Sequence, residues 1–202
     1  MSPVSETKIR VSPAAVLVLA LFVILGDAAV LSALLFAALC HELGHWLILR
    51  RMGATVREVD LTPLGAEMKV CGTLSYGQDW LAAAAGPAAN LLWAVCLAFM
   101  GRRAEIAYLF AGAQAVLGFF NLLPIPPLDG GAMLYAMLAV LWGPYAADRV
   151  SRIMGSVVSA ALLLGCGGLL FFGGGGFPLL AAIPLFLRSV GEIGLVKPWG
   201  KG

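Results

Sequence analysis

The sequence has little charge and very little histidine. Only 12% of its 202 residues are charged and 61% are hydrophobic, whereas about a quarter of the residues in a soluble domain are charged. The four cysteines have no Cys-x-x-Cys spacing, which argues against a disulfide framework. No basic cluster suits nucleic acid, and no internal repeat is visible. The sequence therefore predicts an all-α polytopic membrane protein.

Apolar runs of the sequence predict six transmembrane helices, each of which needs about 20 residues to cross a bilayer. The predicted spans are 11–25, 28–49, 80–100, 104–142, 146–172 and 177–187. Three prolines and two glycines break the fourth span at 121–131, because they cannot continue a regular helix. Residues 1–10 are expected to be a short polar tail. The first run is interpreted as a retained span, since no convincing signal-peptide cleavage site follows it.

Residues 53–78 form the only sizeable polar segment. Residues 55–61 and 67–71 both alternate between polar and apolar side chains, and Pro63-Leu64-Gly65 lies between them, which predicts a β-hairpin on the membrane surface. The hairpin is either a connection between spans or an exposed edge that pairs with an extended peptide. The sequence leaves both interpretations open.

The distribution of basic residues predicts the orientation in the membrane. With six spans and a cytoplasmic N-terminus, 11 of the 13 Lys and Arg residues are cytoplasmic, and only Arg102 and Arg103 lie outside. Both termini are therefore predicted to be cytoplasmic, and the hairpin is expected on the same side.

The two histidines of the chain, His41 and His45, lie four residues apart in the second predicted span, with Glu42 between them. On a helix both imidazoles face one side and reach one ion, as in zinc-binding His-Glu-x-x-His sequences. Glu42 is placed to take a proton from an attacking water. Ionisable groups inside a membrane helix are costly and mark function, so this segment predicts a metal-dependent hydrolase.

A third metal ligand is needed, because catalytic zinc has three protein ligands and one open position. Asp129 is the candidate among the 11 acidic residues, since it lies in the proline-glycine break between two apolar runs. An unpaired carboxylate there would be costly, whereas one bound to a metal is satisfied. The alternative is that Asp129 caps a helix that begins at Gly130, and one carboxylate could contribute to both.

Four further residues are candidates for binding the substrate or positioning the loop. Asn121 could hold an unwound substrate segment through its amide, or steady the loop that contains Pro124. Gly86 lies in a run of small residues in the third span, which favours close helix packing. Asn90, at the end of that run, could hydrogen-bond across the helix interface.

Three motifs together resemble the site-2 protease family of intramembrane zinc metalloproteases, peptidase family M50. They are His41-Glu-Leu-Gly-His45, Gly86-Pro87 and Asn121-x-x-Pro-x-x-Pro-Leu-Asp129-Gly-Gly. The compact chain and the Leu-Thr-Pro-Leu-Gly segment at 61–65 are similar to the subgroup of sporulation factor IVFB proteases. The resemblance covers about residues 10–190.

The resemblance implies a six-helix fold in which His41, His45 and Asp129 hold one Zn²⁺ and Glu42 is the general base. It also implies a bacterial plasma membrane and cleavage of a membrane-associated protein, such as a sigma factor or anti-sigma factor type regulator. The chain, residues 1–202, is expected to be a single transmembrane metalloprotease domain, without the PDZ or CBS domains of some members. A homo-oligomer is compatible with the sequence, and a nucleic-acid partner is not expected.

Two other functions compete with the protease. A zinc-binding transporter could use the same ligands, but it does not require Glu42, and no other histidine offers an onward site. A catalytically inactive relative that acts as a membrane scaffold ranks last, because every expected active-site residue is present.

Overall fold

The structure of the protein is a computed structural model. This structure describes residues 8–13, 15–17, 20, 23, 26–62, 65–101, 104–171, 183 and 186. Five helices of the described residues are α1 (Ala28–Arg51), α2 (Tyr76–Gly101), α3 (Ile106–Asn121), α4 (Asp129–Trp142) and α5 (Pro144–Phe171). Three strands are β1 (Lys8–Val11), β2 (Thr55–Thr62) and β3 (Gly65–Cys71). The predicted, mostly helical class with a small β-hairpin is confirmed.

Three of these helices are long and apolar enough to cross a membrane, namely Ala28–Arg51, Tyr76–Gly101 and Pro144–Gly168. The helices α3 and α4 are apolar but shorter, with 16 and 14 residues. The chain therefore has the character of an integral membrane protein, while the predicted count of six spans is not confirmed. Most of the predicted sixth span at 177–187 and much of the first at 11–25 lie outside the described residues.

The predicted break in the fourth span is present. Helix α3 ends at Asn121, α4 begins at Asp129, and residues 122–128 between them are not helical. Ile125 is fully buried within this loop. Buried irregular backbone at membrane depth is tolerated because protein groups replace water as hydrogen-bond partners. One such bond joins the Leu128 N–H to the Ile125 carbonyl at 2.7 Å.

The sheet contains one strand more than the sequence predicted. β2 and β3 form the expected antiparallel hairpin, and β1 pairs parallel to β2, so the strand order is β1-β2-β3. The sequence predicted a polar tail over residues 1–10. This prediction was wrong for residues 8–10, because they belong to strand β1 (Lys8–Val11). Its four residues alternate, but a run that short is a weak signal beside the basic start of an apolar segment.

Charged residues form a network on one face of the sheet. Arg10 pairs with Glu58, and the Lys69 ammonium lies 2.6 Å from Asp60 and 3.2 Å from Glu58. The hydrogen bond to Asp60, followed by that to Glu58, raises the pKa of Lys69. Alternation turns Ile9, Val11 and Leu61 to the opposite face, and all three are exposed. The sheet is thus amphipathic.

The described residues group into two compact units. The first contains the sheet, α1, the residues of α2 from Ala85 onwards, and α3. In this unit α1 and α2 approach closely at Gly44. A Cβ at this position would overlap the Ala85 carbonyl and the Ala89 side chain. The second unit contains the start of α2, the loop after α3, and helices α4 and α5. Its apolar core is built from Tyr135, Leu138, Ala139 and Ala147.

Candidate metal centre

Helix α1 presents both histidines to the interior of the first unit. The helix begins after Asp27, whose carboxylate accepts hydrogen bonds from the backbone N–H groups of Ala29 and Val30 at 2.7 and 3.2 Å. His41 and His45 are both buried, and their Nε2 atoms lie 3.1 Å apart. Two ring nitrogens at this separation point at a common position, as the i, i+4 spacing predicts.

Asn90 of α2 holds the ring of His41 from behind. Its Oδ1 lies 2.6 Å from His41 Nδ1. A carbonyl oxygen only accepts, so Nδ1 carries the proton and Nε2 keeps the lone pair that a metal needs. The sequence-predicted bond across the helix interface therefore exists, and its partner is the histidine ring itself.

The backbone of Gly86 packs directly against the two imidazoles. A Cβ at this position would overlap His45 Nε2 and would lie 2.7 Å from His41 Cε1. No L-amino-acid side chain fits there unless the rings move. The sequence predicted close helix packing at Gly86. In the structure, the missing side chain of Gly86 leaves space for the two imidazole rings.

Asp129 is the first residue of α4 and is buried. The cap of this helix is Leu128, which makes no side-chain cap hydrogen bond, so the alternative that Asp129 is the N-cap was wrong. His41 and His45 belong to the first compact unit and Asp129 to the second. Two imidazole nitrogens and one carboxylate oxygen match the donor set of catalytic zinc sites.

The loop before α4 fixes the direction of its first turn. A Cβ on Gly130 would overlap the Leu122 carbonyl, and one on Gly131 would lie 2.7 Å from the Ile125 carbonyl carbon. The loop backbone therefore rests on the two glycines that follow Asp129. The glycines at these positions allow this approach, which any side chain would prevent.

The remaining predicted residues are placed as follows. Glu42 lies next to His41 on α1 and is partly exposed. Asn121 is the last residue of α3, and Pro124 lies in the loop, both partly exposed. Their catalytic or binding roles stay predictions.

Sequence reasoning missed Gln114 of α3. This side chain is fully buried, and its Oε1 accepts a hydrogen bond of 2.5 Å from Asn90 Nδ2. A signal for it existed, because Gln114 is the one amide side chain between Ile106 and Phe120, a run without any charged residue. A polar residue at membrane depth generally has a partner in the helix bundle.

Comparison with solved structures defines the class of this fold. The chain superposes on a site-2 protease from Methanocaldococcus jannaschii with a TM-score of 0.71 and 21% identity, over 94% of this chain and 92% of the other. The fold is therefore that of a site-2 protease.

Sequence comparisons point to the same class of protein. Residues 100–165 match the Peptidase family M50. The chain is 30% identical over 166 residues to stage IV sporulation protein FB from Bacillus subtilis, covering 79% of this chain and 57% of the relative. It is 27% identical over 144 residues to a zinc metalloprotease from M. jannaschii, covering 67% of this chain and 42% of the relative. The chain thus spans about two fifths to three fifths of the length of these relatives.

The chain is thus similar to the site-2 proteases in fold and in sequence, in agreement with the motifs of its sequence. The predicted zinc cofactor is confirmed by the similarity to the Peptidase family M50 and to a zinc metalloprotease.

Proposed function

We propose that this chain is an intramembrane zinc metalloprotease, which hydrolyses peptide bonds of membrane-associated proteins within or near the cytoplasmic side of the bilayer. One observation carries the proposal. The buried His41 and His45 lie in one compact unit with their Nε2 atoms 3.1 Å apart, so both can reach one ion. With Asp129 as the third ligand, a bound zinc would keep one position for reaction, the pattern of catalytic rather than structural sites.

His41, His45 and Asp129 are the residues that would hold the zinc. Asn90 keeps His41 in the tautomer whose Nε2 is a ligand. Gly86 leaves the space in which both rings keep their positions. When bound, zinc activates water and polarises the scissile carbonyl as a Lewis acid.

Glu42 is the general base in this proposal. Its carboxylate takes a proton from the attacking water and later gives it to the leaving amine. A substrate helix must unwind locally before it is cut, because its peptide bonds are shielded and already hydrogen-bonded. Asn121 holds the unwound segment or steadies the loop, and Pro124 shapes that loop.

The substrate class follows from the membrane character of the chain and from the family. Peptide bonds at bilayer depth belong to membrane-associated proteins. A sigma factor or anti-sigma factor type regulator is our proposal for the partner, supported by the similarity to the sporulation protein. The basic residues support cytoplasmic termini and multiple spans in a bacterial plasma membrane.

Glu42→Gln separates the protease from a zinc transporter. We expect cleavage of tagged single-span membrane proteins, assayed in a membrane-based screen, to fall about 100-fold or more, because general-base catalysis is lost. The zinc content of the purified variant should stay at one ion per chain, since the proposed ligands are intact. Full cleavage by the variant would contradict the role of Glu42. Zinc uptake by proteoliposomes of both the wild type and the variant, with cleavage by neither, would favour the transporter, because a transporter does not require Glu42.

A further inference from the structure

We infer that Gln114 is a positioning residue, which fixes the amide of Asn90 and through it the tautomer of His41. The inference rests on the proposed zinc site. The three side chains come from α3, α2 and α1 in one compact unit, and Asn90 and Gln114 are fully buried. The hydrogen bonds between them are short, at 2.6 Å from Asn90 to His41 and 2.5 Å from Asn90 to Gln114.

The orientation of the Asn90 amide decides which nitrogen of His41 is free. With Oδ1 toward the ring, His41 Nδ1 is protonated and Nε2 can bind a metal. With the amide reversed, Asn90 would donate to Nδ1, and the proton would sit on Nε2, where it blocks coordination. The ring alone does not choose between the two, because either nitrogen can carry the proton.

Two acceptors favour the productive orientation. Asn90 Nδ2 donates to the Ala37 carbonyl at 2.9 Å and to Gln114 Oε1 at 2.5 Å, so each of its two hydrogens has a partner. A reversed amide would turn Oδ1 toward the Ala37 carbonyl oxygen. This oxygen can only accept a hydrogen bond, so the two oxygens would face each other without one. Ala37 lies one helical turn before His41, so Asn90 contacts the backbone and the ring of the same turn.

Loss of the Gln114 acceptor would leave one hydrogen of the Asn90 amide unpaired in an apolar interior. The productive orientation of this amide would then be less stable. Gln114→Met removes the acceptor, keeps the length of the side chain and suits a membrane helix. Gln114→Glu keeps an acceptor oxygen in either protonation state. Ser151→Ala is the control for loss of a fully buried polar group elsewhere, in α5.

The test uses the full chain in detergent with ¹⁵N-labelled histidine, whose ring signals come from two residues. In metal-free wild type with neutral imidazoles, His41 should show a protonated Nδ1 and an unprotonated Nε2. Gln114→Met should move the two signals toward each other, and Gln114→Glu and Ser151→Ala should leave them in place. Zinc affinity, measured by chelator competition, should fall about 10-fold in Gln114→Met, the lower end of the effect of outer-shell partners.

Unchanged ring signals in Gln114→Met would overturn the inference. Equal losses in Gln114→Met and Gln114→Glu would also overturn it, because they would indicate a packing role alone. A wild type that binds no zinc would overturn the proposed function, and the metal-free spectra would still decide the role of Gln114.

Discussion

The backbone of Gly86 in α2 packs against the two histidines. We expect Gly86→Ala to lower zinc affinity and to cost about 1–3 kcal/mol of unfolding free energy, because the new methyl group overlaps both imidazoles. Zinc content and thermal unfolding measure the two effects. Gly77→Ala is the matched control in the same helix, since a Cβ there meets nothing within 4 Å. Equal behaviour of the two variants would contradict the contact.

Asp129 is tested by its effect on metal content. Asp129→Ala should purify with much less than one zinc per chain after metal-replete preparation, because a carboxylate ligand is lost. The control is Asp148→Ala, which removes an acidic side chain that pairs with Arg152 at 2.8 Å. Elemental analysis of both proteins beside the wild type gives the result. Undiminished zinc in Asp129→Ala would mean that the site is built from other residues.

The loop of residues 122–128 and the start of α4 form one element that aims Asp129. Gly131→Ala places a methyl group 2.7–2.8 Å from backbone atoms of Ile125 and Pro126, and backbone cannot move aside as a flexible side chain does. We expect a loss of about 1–3 kcal/mol of stability and a lower zinc content.

Gly112→Ala is the matched control for Gly131→Ala. It lies in α3, where a Cβ meets nothing within 4 Å. Alanine is the better helix former by about 1 kcal/mol, so this variant should keep or gain thermal stability. A Gly131→Ala protein with wild-type melting and zinc content would show that the loop yields easily.

The orientation of the whole molecule can be tested with thiol chemistry. Cys71, at the end of β3, is exposed, and a chain that keeps only this cysteine should react with an impermeant maleimide from the cytoplasmic side. Arg102→Cys in a chain without other cysteines should react from the opposite side, because Arg102 belongs to the predicted outer loop. Labelling of inside-out and right-side-out vesicles distinguishes them. Labelling of both positions from one side would contradict the predicted topology.

The sequence by itself determined the parts of this protein that depend on local spacing. The four-residue interval of His41 and His45 puts both rings on one side of any helix, and the structure has their Nε2 atoms 3.1 Å apart. Prolines and glycines stop a helix wherever it lies, so the break between α3 and α4 was predictable. The same break made Asp129 the candidate for the third ligand, because an unpaired carboxylate there would be costly, and this role stays a prediction.

Only the tertiary structure decided which groups from different elements meet. Nothing in the pattern near Gln114 indicates its bond to Asn90, because that contact depends on how α2 and α3 pack. The short strand β1 likewise depends on the hairpin with which it pairs. In this pairing Lys8 lies beside Glu58, which is 50 residues later in the sequence. Local sequence sets the conformation of an element, but contacts between elements depend on shape, which a single sequence does not display.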